Sequence, residues 1–127
     1  MIVLDASVLI AHLDGGDRHH ADAQSLLEAN SQEPLGASPI TLAETLVSPA
    51  RAGRLADAET ALQRLGVDEL ALGNNAPRRL AQLRTDTGLK MPDCCVLLAA
   101  QDHDARVASF DTGLLKAARK LGLATTE

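Results

Sequence analysis

Ile2, Val3 and Leu4 form an unbroken apolar run, an acid follows at once at Asp5, and the spacing then changes. A short run that is apolar throughout reads as a strand buried on both faces. Val8, Leu9 and Leu13, with polar His12 among them, suit a helix instead. The chain is therefore expected to open with a strand over residues 2–4 and a helix over 6–14, ended by the Gly15-Gly16 turn. A second helix over 21–29 places Ala23, Leu26 and Leu27 on one face. Residues 35–38 read as a short second strand, and Pro39 opens a helix reaching about Arg51. Along it Ile40, Ala43, Leu46, Val47 and Ala50 recur at helical spacing, which predicts an apolar, buried stripe. Pro49 should kink that helix or end it early. After the break at Gly53, residues 55–65 form another helix, with Leu55, Ala58, Leu62 and Leu65 inward.

The second half repeats the alternation. Residues 67–72 are expected as a third strand, followed by turn chemistry at Gly73-Asn74-Asn75. A helix over 76–87 carries Pro77 in its first turn, where proline is tolerated. Met91-Pro92-Asp93 then begins the most apolar helix in the chain, running through Cys94, Cys95, Val96, Leu97, Leu98, Ala99 and Ala100. A helix apolar almost all round should be buried. Residues 106–109 read as a late strand, a helix is expected from about 114 to 121, and residues 123–124 as a last edge strand. Strands alternating with helices imply a parallel sheet, so residues 1–127 read as one α/β domain.

Composition narrows the picture. The 127 residues suffice for a sizeable core without covalent staples. Phe110 is the only aromatic residue, which argues against a base-stacking platform. No apolar run is long enough to predict a membrane span. With no basic leader and no signal-type cleavage site, a cytoplasmic location is expected. Cys94 and Cys95 are adjacent and have no third cysteine to pair with, in keeping with a reducing compartment. The net charge of −5, from 17 acids and 12 bases, by itself counts against a polyanionic partner. It ceases to do so if four acids hold a cation: 17 − 4 leaves 13 acids against 12 bases, and the metal reverses the local sign.

Four acids occupy special places. Asp5 and Asp111 follow strands, at the end where ligands bind in open α/β sheets. Glu44 borders the apolar stripe of its helix, and Asp93 lies in the first turn of the buried helix. Each has an ordinary explanation, helix capping or the helix dipole. Together they suggest a hard-cation site for Mg²⁺ or Mn²⁺. His19-His20 reads as a solvated pair, because neighbours in sequence do not face one way on a helix. Arg78, Arg79 and Arg84 read as a solvated basic face.

The opening IVLDASVLI, the stretch ITLAETLVSPARAGRL with Glu44, MPDCCVLLAAQ with Asp93 and VASFDTGL with Asp111 together resemble the PIN-domain ribonucleases, and within them the VapC-type toxins. The resemblance covers nearly the whole chain. It implies a PIN-like α/β/α sandwich with a central parallel sheet. It also implies Mg²⁺- or Mn²⁺-dependent hydrolysis of RNA phosphodiester bonds, leaving a 5′-phosphate and a 3′-hydroxyl. The implied partners are an RNA substrate, a small cognate antitoxin whose tail fills the active-site groove, and a second copy of the chain. Carried over by position, Asp5 and Asp93 are the first metal ligands. Glu44 and Asp111 complete the acidic pocket, binding a second metal or orienting the attacking water. Ser7 is a candidate for contact with Asp5 or with a substrate phosphate, helix capping being its ordinary role. Arg51 and Arg54 follow the Glu44 helix and read as surface residues, with contact to RNA or antitoxin as the alternative.

Other readings start from the same strand and acid. A haloacid-dehalogenase-type phosphatase wants a second acid where Ser7 stands, and a receiver domain wants an acidic pair that is missing. A catalytically silent PIN-fold binding module, or a PIN nuclease of RNA processing rather than a toxin, remains open.

Overall fold

Four three-residue strands make the centre of the computed structural model, which describes residues 1–126. They are β1 (Ile2–Leu4), β2 (Leu35–Ala37), β3 (Val67–Glu69) and β4 (Arg106–Ala108), all parallel, in the order β3-β2-β1-β4. Seven helices connect and cover them: α1 (Ala6–Leu13), α2 (His20–Ala29), α3 (Pro39–Arg51), α4 (Leu55–Leu65), α5 (Ala76–Thr87), α6 (Met91–His103) and α7 (Thr112–Lys120). Every residue of β1 is fully buried. Successive strand side chains point to opposite faces, so Ile2 and Leu4 enter one core and Val3 the other. The first core adds Val8, Leu9, Ala23, Leu27 and Leu62 from α1, α2 and α4. The second adds Leu83, Leu97, Leu98, Leu114 and Ala118 from α5, α6 and α7. The result is an α/β/α sandwich.

The apolar helix is buried as its composition requires: seven consecutive residues of α6, Cys94–Ala100, lie in the interior. The sequence boundaries hold to within a residue or two for most elements, and the departures have physical reasons. β3 stops at Glu69 because Leu70 turns into the core above Gly36, its amide donating to the Ala37 carbonyl at 2.8 Å. α7 begins at Thr112, since Asp111 caps it through Oδ1, which accepts the Gly113 and Leu114 amides. In place of the last edge strand there is one parallel bridge, Val107 to Thr125. Pro49 does not end α3, which continues to Arg51. It lies so near the end that one missing amide bond is tolerated.

The largest correction concerns which face of α3 is buried. Ile40 and Val47 are 41% and 44% exposed, and Ala43 and Ala50 are exposed too. Thr41 and Thr45 are the buried residues instead, each at 1%. Their hydroxyls have partners: Thr45 Oγ1 donates to the Thr41 carbonyl at 2.8 Å, and Thr41 Oγ1 lies 3.1 Å from Ser38 Oγ. A threonine satisfied in this way is a small core residue, and hydrophobic spacing alone could not reveal it. On α4, Leu55 is likewise exposed.

Gly36 carries a sharp packing constraint. A Cβ there would stand 2.6 Å from Leu70 Cδ1. Gly36→Ala should therefore destabilise the protein by about 1–3 kcal/mol, the usual cost of overpacking a core. Urea denaturation measures this, and adding Leu70→Ala should recover part of the loss relative to Leu70→Ala alone.

Candidate metal centre

All the singled-out acids lie toward the carboxyl end of the sheet. β1 delivers Asp5, whose amide donates to the Ala108 carbonyl at 2.9 Å and so ties the two strand ends together. Asp5 caps α1, β4 leads through Ser109 and Phe110 to Asp111, and α6 runs back toward the sheet from Asp93 in its first turn. α3 starts from Ser38 at the end of β2 and carries Glu44 in its second turn.

Asp5 is the best-held of the four. It is 7% exposed, and three donors converge on its carboxylate. Oδ1 accepts the Ala6 amide at 2.8 Å, while Oδ2 accepts the hydroxyls of Ser7 at 2.8 Å and Ser109 at 2.7 Å. The serine oxygens accept in turn from the backbone: Ser7 Oγ from Phe110 N–H at 3.0 Å, Ser109 Oγ from Asp111 N–H at 2.9 Å. Ser7 thus directs its proton to Asp5. Ser109, 5% exposed, is a member of the site that the acids alone did not reveal. The Ser-x-Asp spacing before α7 is the sequence signal for it.

Electrostatics places the four acids in one neighbourhood. The Asp93 carboxyl is pushed up to about 6, first by burial and then by the charges of Asp5, Asp111 and Glu44, against a smaller opposing effect of Lys90. Glu44 is also raised, by partial desolvation and then by Asp5, although its side chain sits at the exposed rim. Lys90, just before α6, is a nearby cation that the sequence reading did not single out. Among the described residues no three of these side chains stand close enough to enclose an ion by themselves. An all-carboxylate donor set with space between its members nevertheless fits Mg²⁺ or Mn²⁺, because such ions keep several waters and reach part of their protein ligands through them.

The remaining candidates separate. His19 stacks on Phe110 with ring centroids 4.7 Å apart, while His20 Nδ1 pairs with the Ala11 carbonyl at 2.7 Å. The two histidines therefore serve different contacts and are not simply solvated. Arg79 binds Asp102 at 2.6 Å and Arg84 the Leu89 carbonyl at 3.1 Å, so both brace α5 against the region around α6. Arg54 lines a groove of about 350 Å³ between α1, α3 and α4, together with Ile10, Leu13, Glu44, Pro49 and Asp57. Arg51 is exposed. No helix among the described residues is long and apolar enough to cross a membrane.

Comparison with known proteins bears on the family and the fold. The family profile described as the PIN domain matches residues 2–120. A toxin–antitoxin complex from Klebsiella pneumoniae superposes with a TM-score of 0.78 at 25% identity, over 99% of this chain and 97% of that one. Mycobacterium tuberculosis VapC20, a toxin that cleaves the sarcin–ricin loop, gives 0.69 at 19% identity, over 92% and 95%. VapBC2 from Rickettsia felis, bound to a promoter DNA fragment, gives 0.74 at 15% identity, over 99% and 98%. The last two speak to the fold. A search of curated proteins returns no match.

The raised carboxyl of Asp93 has a consequence for stability. Its folded value of about 6 exceeds the ordinary 3.8. The folded state therefore holds this proton more tightly than the unfolded chain, and the associated stability is lost as pH rises from about 4 through 6. Asp93→Asn removes the penalty. In chelator, its melting temperature should exceed that of the wild type at pH 7.5, with the gap shrinking at pH 5; thermal melts at both pH values check it.

Proposed function

The chain belongs to the PIN-domain family, and on that footing we propose that it is a Mg²⁺- or Mn²⁺-dependent endoribonuclease acting as the toxin of a toxin–antitoxin pair. The observation that carries the proposal is the gathering of Asp5, Glu44 and Asp111 about the part-buried Asp93, whose carboxyl is raised to about 6 by burial first and by their charges second. A binding module gains nothing from gathering carboxylates that repel one another. An enzyme that loads a cation there does.

Asp5 and Asp93 are assigned as the principal ligands. Asp5 is fixed by its three donors, and Asp93 is the acid most in need of a counter-charge. Asp111 completes the pocket, with its Oδ1 engaged in capping α7. Glu44, at the rim and raised above the ordinary carboxylate range by partial burial and by Asp5, is assigned to orient the attacking water and accept its proton. When bound, the cation would neutralise the scissile phosphate and make a coordinated water more acidic. Ser7 orients Asp5 in this scheme, and contact with a substrate phosphate is its secondary assignment.

Two surfaces suit the proposed partners. The groove between α1, α3 and α4 has an apolar floor and charged rim residues Asp14, Arg54 and Asp57, and Glu44 opens into it. An inhibitory antitoxin segment lying there would cover Glu44, the one site acid that lines the groove. The apolar stripe of α3 left in solvent, Ile40 and Val47 foremost, is assigned to a homodimer.

End-mapping of cleavage in a total-RNA pool tests the activity. Wild type with Mg²⁺ or Mn²⁺ should produce discrete new 5′-phosphate ends that a chelator abolishes. Asp5→Asn and Asp93→Asn should lower them by on the order of 100-fold, the scale of losing a main electrostatic group in a site. Folded, antitoxin-free protein that yields no metal-dependent ends would overturn the nuclease reading in favour of the binding module.

A further inference from the structure

The hydroxyls around Asp5 do more than hold it in place. An ionised carboxylate offers about four acceptor positions, two on each oxygen. On Asp5, Oδ2 receives both Ser7 Oγ and Ser109 Oγ, and Oδ1 receives the Ala6 amide. Both positions on Oδ2 are therefore filled, and a single position on Oδ1 remains. The two serines are held to this arrangement because their own oxygens accept Phe110 N–H and Asp111 N–H, leaving their protons for the charged partner. The 3.4 Å separation of the two serine oxygens is longer than either bond to Asp5, as expected where charge-assisted bonds prevail.

We propose that Ser109, with Ser7, is a positioning residue that restricts Asp5 to one-oxygen ligation and thereby biases the site toward small octahedral dications over Ca²⁺. The inference rests on the metal-dependent reading above. Mg²⁺ demands near-ideal octahedral geometry, whereas Ca²⁺ accepts six to eight oxygens and readily takes a carboxylate through both. With Oδ2 occupied, Asp5 cannot offer both oxygens. Ser109 also joins two acids that reach the site from different strands, because the oxygen that accepts the Asp111 amide belongs to the same hydroxyl that donates to Asp5. Losing it opens one position on Oδ2, enough for that oxygen to reach a cation, and loosens the register of Asp111 together. Ser109 is 95% covered and its proton is committed, so it touches neither substrate nor cation.

The test is Mn²⁺ binding followed by electron paramagnetic resonance, with Mg²⁺ and Ca²⁺ as competitors, on the folded chain without RNA. Wild type should bind Mn²⁺ and release it far more readily to Mg²⁺ than to Ca²⁺. Ser109→Ala should weaken Mn²⁺ about tenfold, the usual effect of losing a ligand-orienting group, and raise Ca²⁺ competition relative to Mg²⁺ by a similar factor. Ser109→Thr, which keeps the hydroxyl, should restore the wild-type ratio. Ser7→Ala frees the same oxygen from a less buried side and should move the ratio in the same direction, which covers the case of a poorly folded Ser109→Ala. An unchanged Ca²⁺-to-Mg²⁺ ratio in the folded variants overturns the inference and leaves the nuclease reading standing. Failure of the wild type to bind Mn²⁺ at all overturns the metal-dependent reading with it.

Discussion

Carboxylates partly buried beside one another are the constraint that the rest of this fold has to withstand. Four acids at one end of the sheet, two raised by burial and by each other's charge, oppose the compact state. The opposing stabilisation comes from elsewhere in the chain. β1 is buried on both faces, so the residue after it cannot retreat into solvent without pulling Ile2, Val3 and Leu4 out of two cores. α6 is fixed by seven consecutive buried residues, and Asp93 is carried to the site by a helix with no freedom to turn. The strand and helix that carry Asp5 and Asp93 are thus anchored by core residues away from the site, while Ala6, Ser7 and Ser109 hold Asp5 directly.

Helix ends ease part of the strain. Asp5 and Asp111 both cap the helices that follow them, and Asp93 lies in the first turn of α6, so three carboxylates face helix amino termini. The partial positive charge there favours an anion. Asp93 nonetheless remains well above the ordinary range, which shows that dipole and Lys90 together do not balance burial and three neighbouring charges. The excess negative charge is what a divalent cation would relieve, and such a cation would also reconcile a net charge of −5 with the polyanionic substrate proposed.

The legible parts of the chain were those in which one signal dominates. A continuous apolar run before Asp5 marks a buried strand in any context, and an unbroken run from Cys94 to Ala100 marks a buried helix. The acids stood out because each follows or opens such an element. The parts that misled were those in which polar atoms are satisfied internally. Thr41 and Thr45 look polar in sequence, yet their hydroxyls bond to Ser38 and to the helix backbone, so burial costs little. The Ser-x-Asp spacing marks Ser109 in the sequence, but its hold on Asp5 was not legible there: its role lies in two hydrogen bonds, to residues 104 and two positions away, and only the first is long-range.

The inverted face of α3 joins these observations. A helix whose two fully buried residues are threonines, with Leu42 and Leu46 packed only partly on the core, can approach its neighbours closely, and α3 packs against α1, α4 and α6 together. Close approach to α1 and α6 is what brings Glu44, between Thr41 and Thr45 in sequence, near enough to Asp5 and Asp93 for their charges to be felt. Bulky residues at positions 41 and 45 would drive the helix outward and separate Glu44 from the other acids. Ile40, Ala43, Val47 and Ala50 are left on the opposite side, where burial within the chain is unavailable to them. The same choice of side chains that assembles the acidic site therefore also leaves an apolar surface beside it, so the site and the surface assigned to a second copy arise from one packing decision.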